Sequence, residues 1–441
     1  MIKRLPLYLR HVAYNLRGGF LIRPLIIALC LGVAGAVIST LEREFPALSS
    51  WVPNWLFPSH TDWQVAQVIL SAIATSVMTV VSIVFAILLM TLTLASMQFS
   101  PRIIVSFAKD RVTQWTLGVF LGTFSYCLAA LPAAHTYPQR FEPVLTVMGA
   151  MLLAIVCVAL LLFFIHHISQ AISVNHIVDR IAFETEEMIR EMMPNPVRTY
   201  RPSFSESPQP TGREAPVLSD VSGYIRFVDV ERLRIVAVRH RMAIYVHRRI
   251  GHFVPAGIPM MTVSKEDRLT KELEAELRAA FDIGPTRTLQ QDVEFGILQI
   301  VDIALKAISP AVNDPTTAVN CVDQLSRILI CFASRESPAW YLYNPPGTLR
   351  VSMQRPTLDK LVESAFEQIR LYAKADFAVS LRLLRALADV SVTVPDRPIR
   401  EMLALRGRHV VDGASSKFMD GEMVEMKARL ATLERLATEV D

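Results

Sequence analysis

Four hydroxyl side chains lie at helical spacing within one long apolar stretch of the chain. They are Ser71, Thr75, Thr79 and Ser82. Steps of four, four and three residues place them on one face of a helix. In a membrane, such a face can serve helix packing, because small polar residues let helices approach and hydrogen-bond. It can also serve permeation, if several copies of the helix surround a water-filled pore. The sequence leaves both uses open, and the four are candidate pore-lining residues.

A second group of polar residues lies in the second half of the chain. Two of them, Asp302 and Lys306, are four residues apart in a largely apolar predicted helix and therefore share a face. The next predicted helix carries polar residues at helical spacing as well. The candidates for a cytoplasmic ligand site or interface are Asp302, Lys306, Asn313, Asp314, Asn320, Asp323 and Arg327. A satisfied buried ion-pair network or a contact between subunits would use the same residues.

The turn between these two helices allows two interpretations. Asp314 followed by Pro315 fits a helix N-cap with proline at the first helical position. The exposed start of that helix would also favour an anion, because free backbone amides and the helix dipole point toward it. Helix initiation and ligand binding both remain open at this turn.

The spacings that common enzyme classes require are not found in the sequence. There is no nucleophile elbow, phosphate-binding loop, dinucleotide glycine fingerprint or metal-ligand spacing. The five cysteines form no CxxC pair, which argues against a disulfide framework or a zinc site. A net charge of +4 over 441 residues does not favour a nucleic-acid partner. We therefore expect no enzyme, no catalytic residue, no metal and no cofactor.

The composition places part of the chain in a lipid bilayer. Hydrophobic residues make up 52% of the sequence and charged residues only 20%, a balance too apolar for an ordinary soluble protein. A bilayer core requires ~20 apolar residues in a helix. We predict a transmembrane domain over residues 1–168, with four spans at about 24–41, 63–96, 112–134 and 144–166.

The charges flanking the spans predict their orientation. The first 23 residues contain five basic residues and no acid, which by the positive-inside rule places the N-terminus in the cytoplasm. A cleaved signal peptide is the alternative, because residues 34–36 (AGA) resemble a cleavage site. With an uncleaved first span, four crossings return the chain to the cytoplasm, so both termini are predicted to be cytoplasmic.

The remainder is predicted to be a cytoplasmic α+β region. An amphipathic exit helix is expected over residues 169–193, and a proline- and serine-rich linker over 194–218. Residues 219–263 predict a small β module, with one strand at 233–238. Within it, residues 251–260 (GHFVPAGIPM) resemble a turn of barrel-sandwich domains, which implies a structural barrel without a prosthetic group. Residues 264–441 predict an all-helical domain.

Four segments of the chain resemble a family of bacterial membrane proteins called domain of unknown function 2254. They are residues 94–102 (LASMQFSPR), 295–305 (FGILQIVDIAL), 309–318 (SPAVNDPTTA) and 381–389 (LRLLRALAD). The resemblance covers nearly the whole chain. It implies a multi-pass protein of the bacterial inner membrane, and it brings no established activity and no catalytic residues.

Two functions fit these features. The first is a homo-oligomeric ion channel or passive transporter with a cytoplasmic regulatory domain, motivated by the four spans and the hydroxyl face. The almost complete lack of charge in the spans suits passive conduction better than coupled transport. The alternative is a membrane-anchored sensor or scaffold that binds an ion, a small molecule or a protein through its cytoplasmic domain. The lipid bilayer is a partner in both cases.

Overall fold

The computed structural model describes nine segments of the chain. These are residues 22–45, 63–98, 111–135, 143–171, 173–193, 214–335, 341–344, 348–414 and 418–438. Backbone contacts divide the chain into two compact units, Met1–Ser173 and Val174–Asp441.

The first unit contains four long apolar helices. They are α1 (Ile22–Glu44), α2 (Trp63–Gln98), α3 (Arg111–His135) and α4 (Val144–Ala171). All four are long and apolar enough to cross a membrane, which confirms the prediction of four helices of membrane-spanning length. The candidate span of α3 is 56% buried, against 17–22% for the other three. The third helix is therefore the centre of this unit, and it contacts α1, α2 and α4.

Small residues allow α1 and α3 to approach closely. A Cβ atom placed on Gly35 of α1 would lie 2.6 Å from the backbone oxygen of Tyr126 on α3. Gly118 and Gly122 of α3 are covered by Ile27 and Leu31 of α1 in the same way. Close backbone approach through small residues is a common means of packing helices in lipid, where the hydrophobic effect between helices is absent.

The second unit combines strands and helices up to Met353, and its described elements after that residue are helices. Its strands are β1 (Ala215–Leu218), β2 (Gly223–Val228), β3 (Ile244–Val246), β4 (Phe253–Val254), β5 (Pro259–Val263), β6 (Phe281–Gly284), β7 (Tyr341–Asn344) and β8 (Thr348–Met353). Its helices are α5 (Val174–Met192), α6 (Val230–Arg239), α7 (Lys271–Arg278), α8 (Val293–Ala307), α9 (Pro315–Ala333), α10 (Leu358–Tyr372), α11 (Phe377–Thr393), α12 (Arg397–Ala414) and α13 (Asp420–Thr438).

The described strands form two open sheets, so the prediction of a barrel is wrong. One sheet has the order β1-β5-β3-β8-β7 and the other β4-β2-β6. All pairs are antiparallel except β3 with β8, which run parallel. The glycines of the barrel-like motif do serve turns, since Gly251 and Gly257 have φ of +84° and +80°. The sequence motif therefore identifies the two glycine turns, but it does not identify the pairing of distant strands.

Two further corrections concern where strands and helices lie. The region 264–441 is not all-helical, because β6, β7 and β8 belong to it. Strand β6 pairs with β2 and β8 pairs with β3 of the predicted β module, whereas β7 pairs with β8. Residues 233–238 form part of α6 rather than a strand. Asp229 caps that helix by accepting a hydrogen bond from the Arg232 amide, and Leu233, Val236 and Ala237 are buried at helical spacing. The β-branched composition of this segment favours a strand when the sequence is considered alone.

The predicted linker is only partly described. Residues 194–213 lie outside the described segments, whereas Ala215–Leu218 is an edge strand paired with β5. Pro216 is tolerated there because an edge strand can dispense with one amide donor.

Helix α9 contacts α5, α8, α10 and α11 of the second unit. The predicted exit helix, which begins at Val174, contacts both α8 and α9, and α10 and α11 complete the surroundings of α9. The buried face of α9 includes Cys321, Leu325 and Leu329, each 0% exposed. An amphipathic helix that follows a membrane span is thus part of the core of the second unit.

Candidate functional site

The four hydroxyl residues of α2 lie on a face that the other described helices leave exposed. Ser71 donates a hydrogen bond to the Gln67 carbonyl at 2.7 Å, and Thr79 and Ser82 bond to carbonyls four residues earlier at 3.0 Å. Thr75 is also exposed. The buried face of α2 is formed instead by apolar residues, which include Leu70, Ala74, Val77, Val81 and Val84. Packing among the described helices of one chain therefore does not use the hydroxyls.

The polar residues of α8 and α9 are distributed over several contacts rather than gathered in one site. Asn320 donates to the Asn175 side chain of α5 at 2.9 Å. Asp323 pairs with Arg382 of α11 at 3.1 Å. Burial raises the pKa of Asp323, and Arg382 opposes that shift. Asp302 and Lys306 are half-buried on α8.

Arg327 of α9 lies in the strongest polar network of the predicted group. Its guanidinium donates to both carboxylate oxygens of Glu186, at 2.8 and 3.0 Å, and to Asp179 at 2.8 Å. The hydrogen bonds to Glu186 are the main cause of a raised pKa of Arg327. Glu186 has only 5% of its side chain exposed and also accepts from Arg190 at 3.0 Å. This network joins α5 to α9.

The turn between α8 and α9 has the geometry of helix initiation. The Asp314 carboxylate accepts hydrogen bonds from the Thr317 amide at 3.1 Å and from the Thr317 hydroxyl at 2.6 Å. These bonds lower the pKa of Asp314. Asn313, with φ of +50°, adopts the left-handed conformation that asparagine tolerates. The carboxylate thus satisfies amides that an anionic ligand would otherwise contact.

A pocket that the sequence did not reveal lies entirely within the second unit. It is a cavity of about 40 Å³ inside a wider depression of about 570 Å³ that includes solvent at its mouth. It is formed where the end of α5, the start of α8, the end of α9 and the segment after β8 meet. Its lining consists of Met192, Met193, Arg249, Ile250, Gln291, Asp292, Val293, Glu294, Phe332, Met353, Gln354, Arg355 and Pro356.

Two carboxylates of the pocket are already paired with arginines. Arg287 donates to Asp292 at 2.7 and 2.9 Å and to Glu294 at 3.1 Å. Arg249 donates to Glu294 at 3.2 Å, and Ser364 donates to the same carboxylate at 3.1 Å. Burial raises the pKa of Glu294, but the two arginines outweigh burial and the net shift is downward. Both carboxylates are therefore paired with Arg249 or Arg287.

Arg355 differs from the other arginines of the pocket. Its Nε is buried and has no hydrogen-bond partner among the residues that the structure describes. Burial lowers the pKa of Arg355, and no carboxylate among the described residues opposes that shift. A guanidinium nevertheless stays charged at neutral pH. The pocket thus contains one positive charge that the described residues leave uncompensated.

Sequence reasoning missed this pocket because its residues come from distant parts of the chain. Met192 and Arg355 are separated by more than 160 positions, and neither belongs to a recognisable motif. The nearest available signal was the run from Arg287 to Glu294, which combines an arginine with two acids just before an apolar helix. Such a run more often marks an N-cap, and Asp292 does cap α8.

Metal binding finds no support in the geometry that the structure describes. In that part of the chain, no three His, Cys, Asp or Glu side chains are grouped so as to hold a metal ion.

Four membrane-length helices followed by an α+β unit define a polytopic membrane protein. The chain belongs to the family described as "Predicted membrane protein (DUF2254)", which it matches over residues 17–389. The uncharacterized protein Mb1321c of Mycobacterium bovis is 30% identical over 400 residues, which cover 89% of this chain and 75% of the relative. The uncharacterized protein Rv1290c of Mycobacterium tuberculosis matches to the same extent. No solved structure matches the chain.

Proposed function

We propose that this protein is a membrane-anchored sensor that binds a small molecule in the pocket of its second unit. The observation that carries this proposal is Arg355, a cation without a described partner beside a largely apolar cavity. Ligand sites typically combine apolar walls with a few polar groups that fix orientation. We expect binding without chemical turnover.

The position of the pocket supports a sensing role. Met192 and Met193, at the end of α5, line the pocket, and the other end of α5 begins three residues after α4 ends. A ligand in the pocket therefore contacts the helix that follows the last membrane span in sequence. We further propose that the chain lies in the bacterial inner membrane as a homo-oligomer, with both termini and the second unit in the cytoplasm.

Closing the pocket mouth is expected to prevent binding. Gln354 is an exposed residue of the pocket, and tryptophan at this position would cover the opening. The full-length protein would be incubated with a small-molecule extract of bacterial cells, washed, and weighed intact by native mass spectrometry. We expect bound small molecules on the wild type and a reduction of about tenfold or more in Gln354→Trp, a cost of about 1.4 kcal/mol.

The control is Gln290→Trp, an equally exposed glutamine that does not line the pocket. This variant should retain the bound molecules. A wild type that carries no small molecule, or equal binding by both variants, would refute the sensor proposal.

A second candidate function is an oligomeric channel, favoured by the exposed hydroxyl face of α2. The described helices of one chain leave this stripe of hydroxyls uncovered. If several copies of the chain surrounded a common axis, the stripe would contact either a neighbouring copy or water. Leucine at Thr75 and Thr79 is expected to abolish unitary currents in planar bilayers while the oligomer still assembles. Recordings under a salt gradient would measure the selectivity.

The matched control for the channel is Ser76→Leu, an exposed hydroxyl of α2 that lies off the stripe. Its currents should resemble those of the wild type. Currents that persist unchanged in the Thr75 and Thr79 variants, or a silent wild type, would count against conduction through this face.

A further inference from the structure

We propose that the pocket selects a small amphipathic anion, in which a carboxylate or phosphate head group is joined to a short apolar body, and that Arg355 is its anion receptor. This inference rests on the proposed sensor function and goes further by naming the class of ligand. It follows from the charges around the pocket, the size of the cavity and the nature of its walls.

Among the described charged side chains around the pocket, one arginine remains for an anion to pair with. Three arginines, Arg249, Arg287 and Arg355, face two carboxylates, Asp292 and Glu294, and both carboxylates are bonded to Arg249 or Arg287. His252 accepts a hydrogen bond from Arg249 at 2.6 Å. Burial, followed by the charge of Arg249, lowers the pKa of His252, which keeps this imidazole neutral at pH 7. The excess positive charge therefore resides on Arg355.

A half-buried guanidinium gains more from an anion than an exposed one would. The buried Nε of Arg355 has lost water without gaining a described partner, and an unsatisfied buried donor is costly. A carboxylate or phosphate can accept two parallel hydrogen bonds from one guanidinium, so either head group would offset that cost.

The walls and the size of the cavity restrict the rest of the ligand. Met193, Phe332 and Met353 are buried apolar side chains of the lining, with exposed fractions of 3–7%. Methionines adapt to apolar groups of different shape. A cavity of about 40 Å³ has room for a small group only. A short alkyl or aryl group that extends into the wider depression fits this space.

Four probes that share a six-carbon chain distinguish the contribution of head-group charge to affinity from that of apolar contact. They are hexanoate, hexyl phosphate, hexanol and hexylammonium, titrated calorimetrically into the full-length protein in lipid nanodiscs. We expect hexanoate or hexyl phosphate to bind about 10–100-fold more tightly than hexanol, the range for a hydrogen bond to a charged group. Hexylammonium should bind more weakly than hexanol. The comparison of the two anions identifies the preferred head group.

Substitutions test whether the preference for an anion over hexanol depends on Arg355. Arg355→Gln should remove the preference for the anion over hexanol, and Arg355→Lys should restore part of it because the charge remains. Arg400→Gln is the matched control, since Arg400 also has a buried Nε without a described partner but lies on α12, outside the pocket lining. Unchanged unfolding midpoints without ligand would show that each variant folds.

The outcomes show whether the proposed ligand class fails or the proposed sensor function fails. Equal binding of hexanoate, hexyl phosphate and hexanol, or a preference that survives Arg355→Gln, overturns the anion inference. The sensor proposal still stands in that case if Gln354→Trp loses molecules from the cell extract. Absence of binding by every probe also overturns the inference, and the extract experiment then decides the sensor function by itself.

Discussion

Replacing Arg327 with methionine is expected to lower the free energy of unfolding of the second unit by about 3 kcal/mol. The substitution leaves Glu186, whose side chain is 5% exposed, with Arg190 as its remaining described partner. A buried carboxylate that loses a bidentate partner keeps its desolvation cost without the compensating hydrogen bonds. Because Arg327 itself is 37% exposed, the loss should lie at the lower end of the range for buried pairs.

Thermal and urea unfolding of the full-length protein in nanodiscs would measure this loss. The control is Asp179→Asn, which removes a 59% exposed partner of the same arginine and should cost less than about 1 kcal/mol. The double variant Arg327→Met with Glu186→Met should recover most of the stability, because no buried charge is left unpaired. A single Arg327 variant as stable as Asp179→Asn would disprove a structural role for this network.

The Arg327 network and the pocket act on the same helix. Glu186 is bound by Arg327 of α9, and Met192, less than two turns further along α5, lines the pocket. The network fixes α5 against α9, and Phe332 at the end of α9 lines the same pocket. A stable α5–α9 pair therefore holds two sides of the pocket in place.

The features that the sequence could predict are those set by neighbouring residues. Apolar runs longer than a bilayer core predicted the four spans, and Asp314 followed by Pro315 suggested the N-cap that the structure contains. Turn glycines were also recognisable, since Gly251 and Gly257 have positive φ. Each of these features depends on local backbone geometry or on hydropathy over a short window.

The features that could not be predicted depend on contacts between distant segments. Strand β3 pairs in parallel with β8, more than 100 residues later, and no local pattern specifies that partner. The pocket has the same origin, because Arg355 becomes part of a site only through segments that lie far from it in sequence. The contact made by Glu42 is a third feature of this kind. An acidic residue near the end of a membrane span is predicted from sequence to belong to an exposed connector.

Glu42 instead connects two membrane helices. It is 1% exposed, and its carboxylate accepts hydrogen bonds from the Leu145 amide at 2.6 Å and the Thr146 amide at 3.0 Å. The Thr146 hydroxyl donates to it at 2.7 Å. The first amides of a helix have no partner within the helix. A side chain at the end of α1 therefore caps α4.

Glu42→Leu is expected to destabilise the first unit by about 3 kcal/mol, because two amides and one hydroxyl at the start of α4 lose their acceptor at once. Glu44→Leu is the matched control, since Glu44 lies two residues away, is 65% exposed and should change stability by less than about 0.5 kcal/mol. Glu42→Gln retains one acceptor oxygen and should fall between the two. The fraction folded in increasing sodium dodecyl sulfate would rank the variants. Equal resistance of the Glu42→Leu and Glu44→Leu proteins would show that the cap contributes nothing to the packing of α1 against α4.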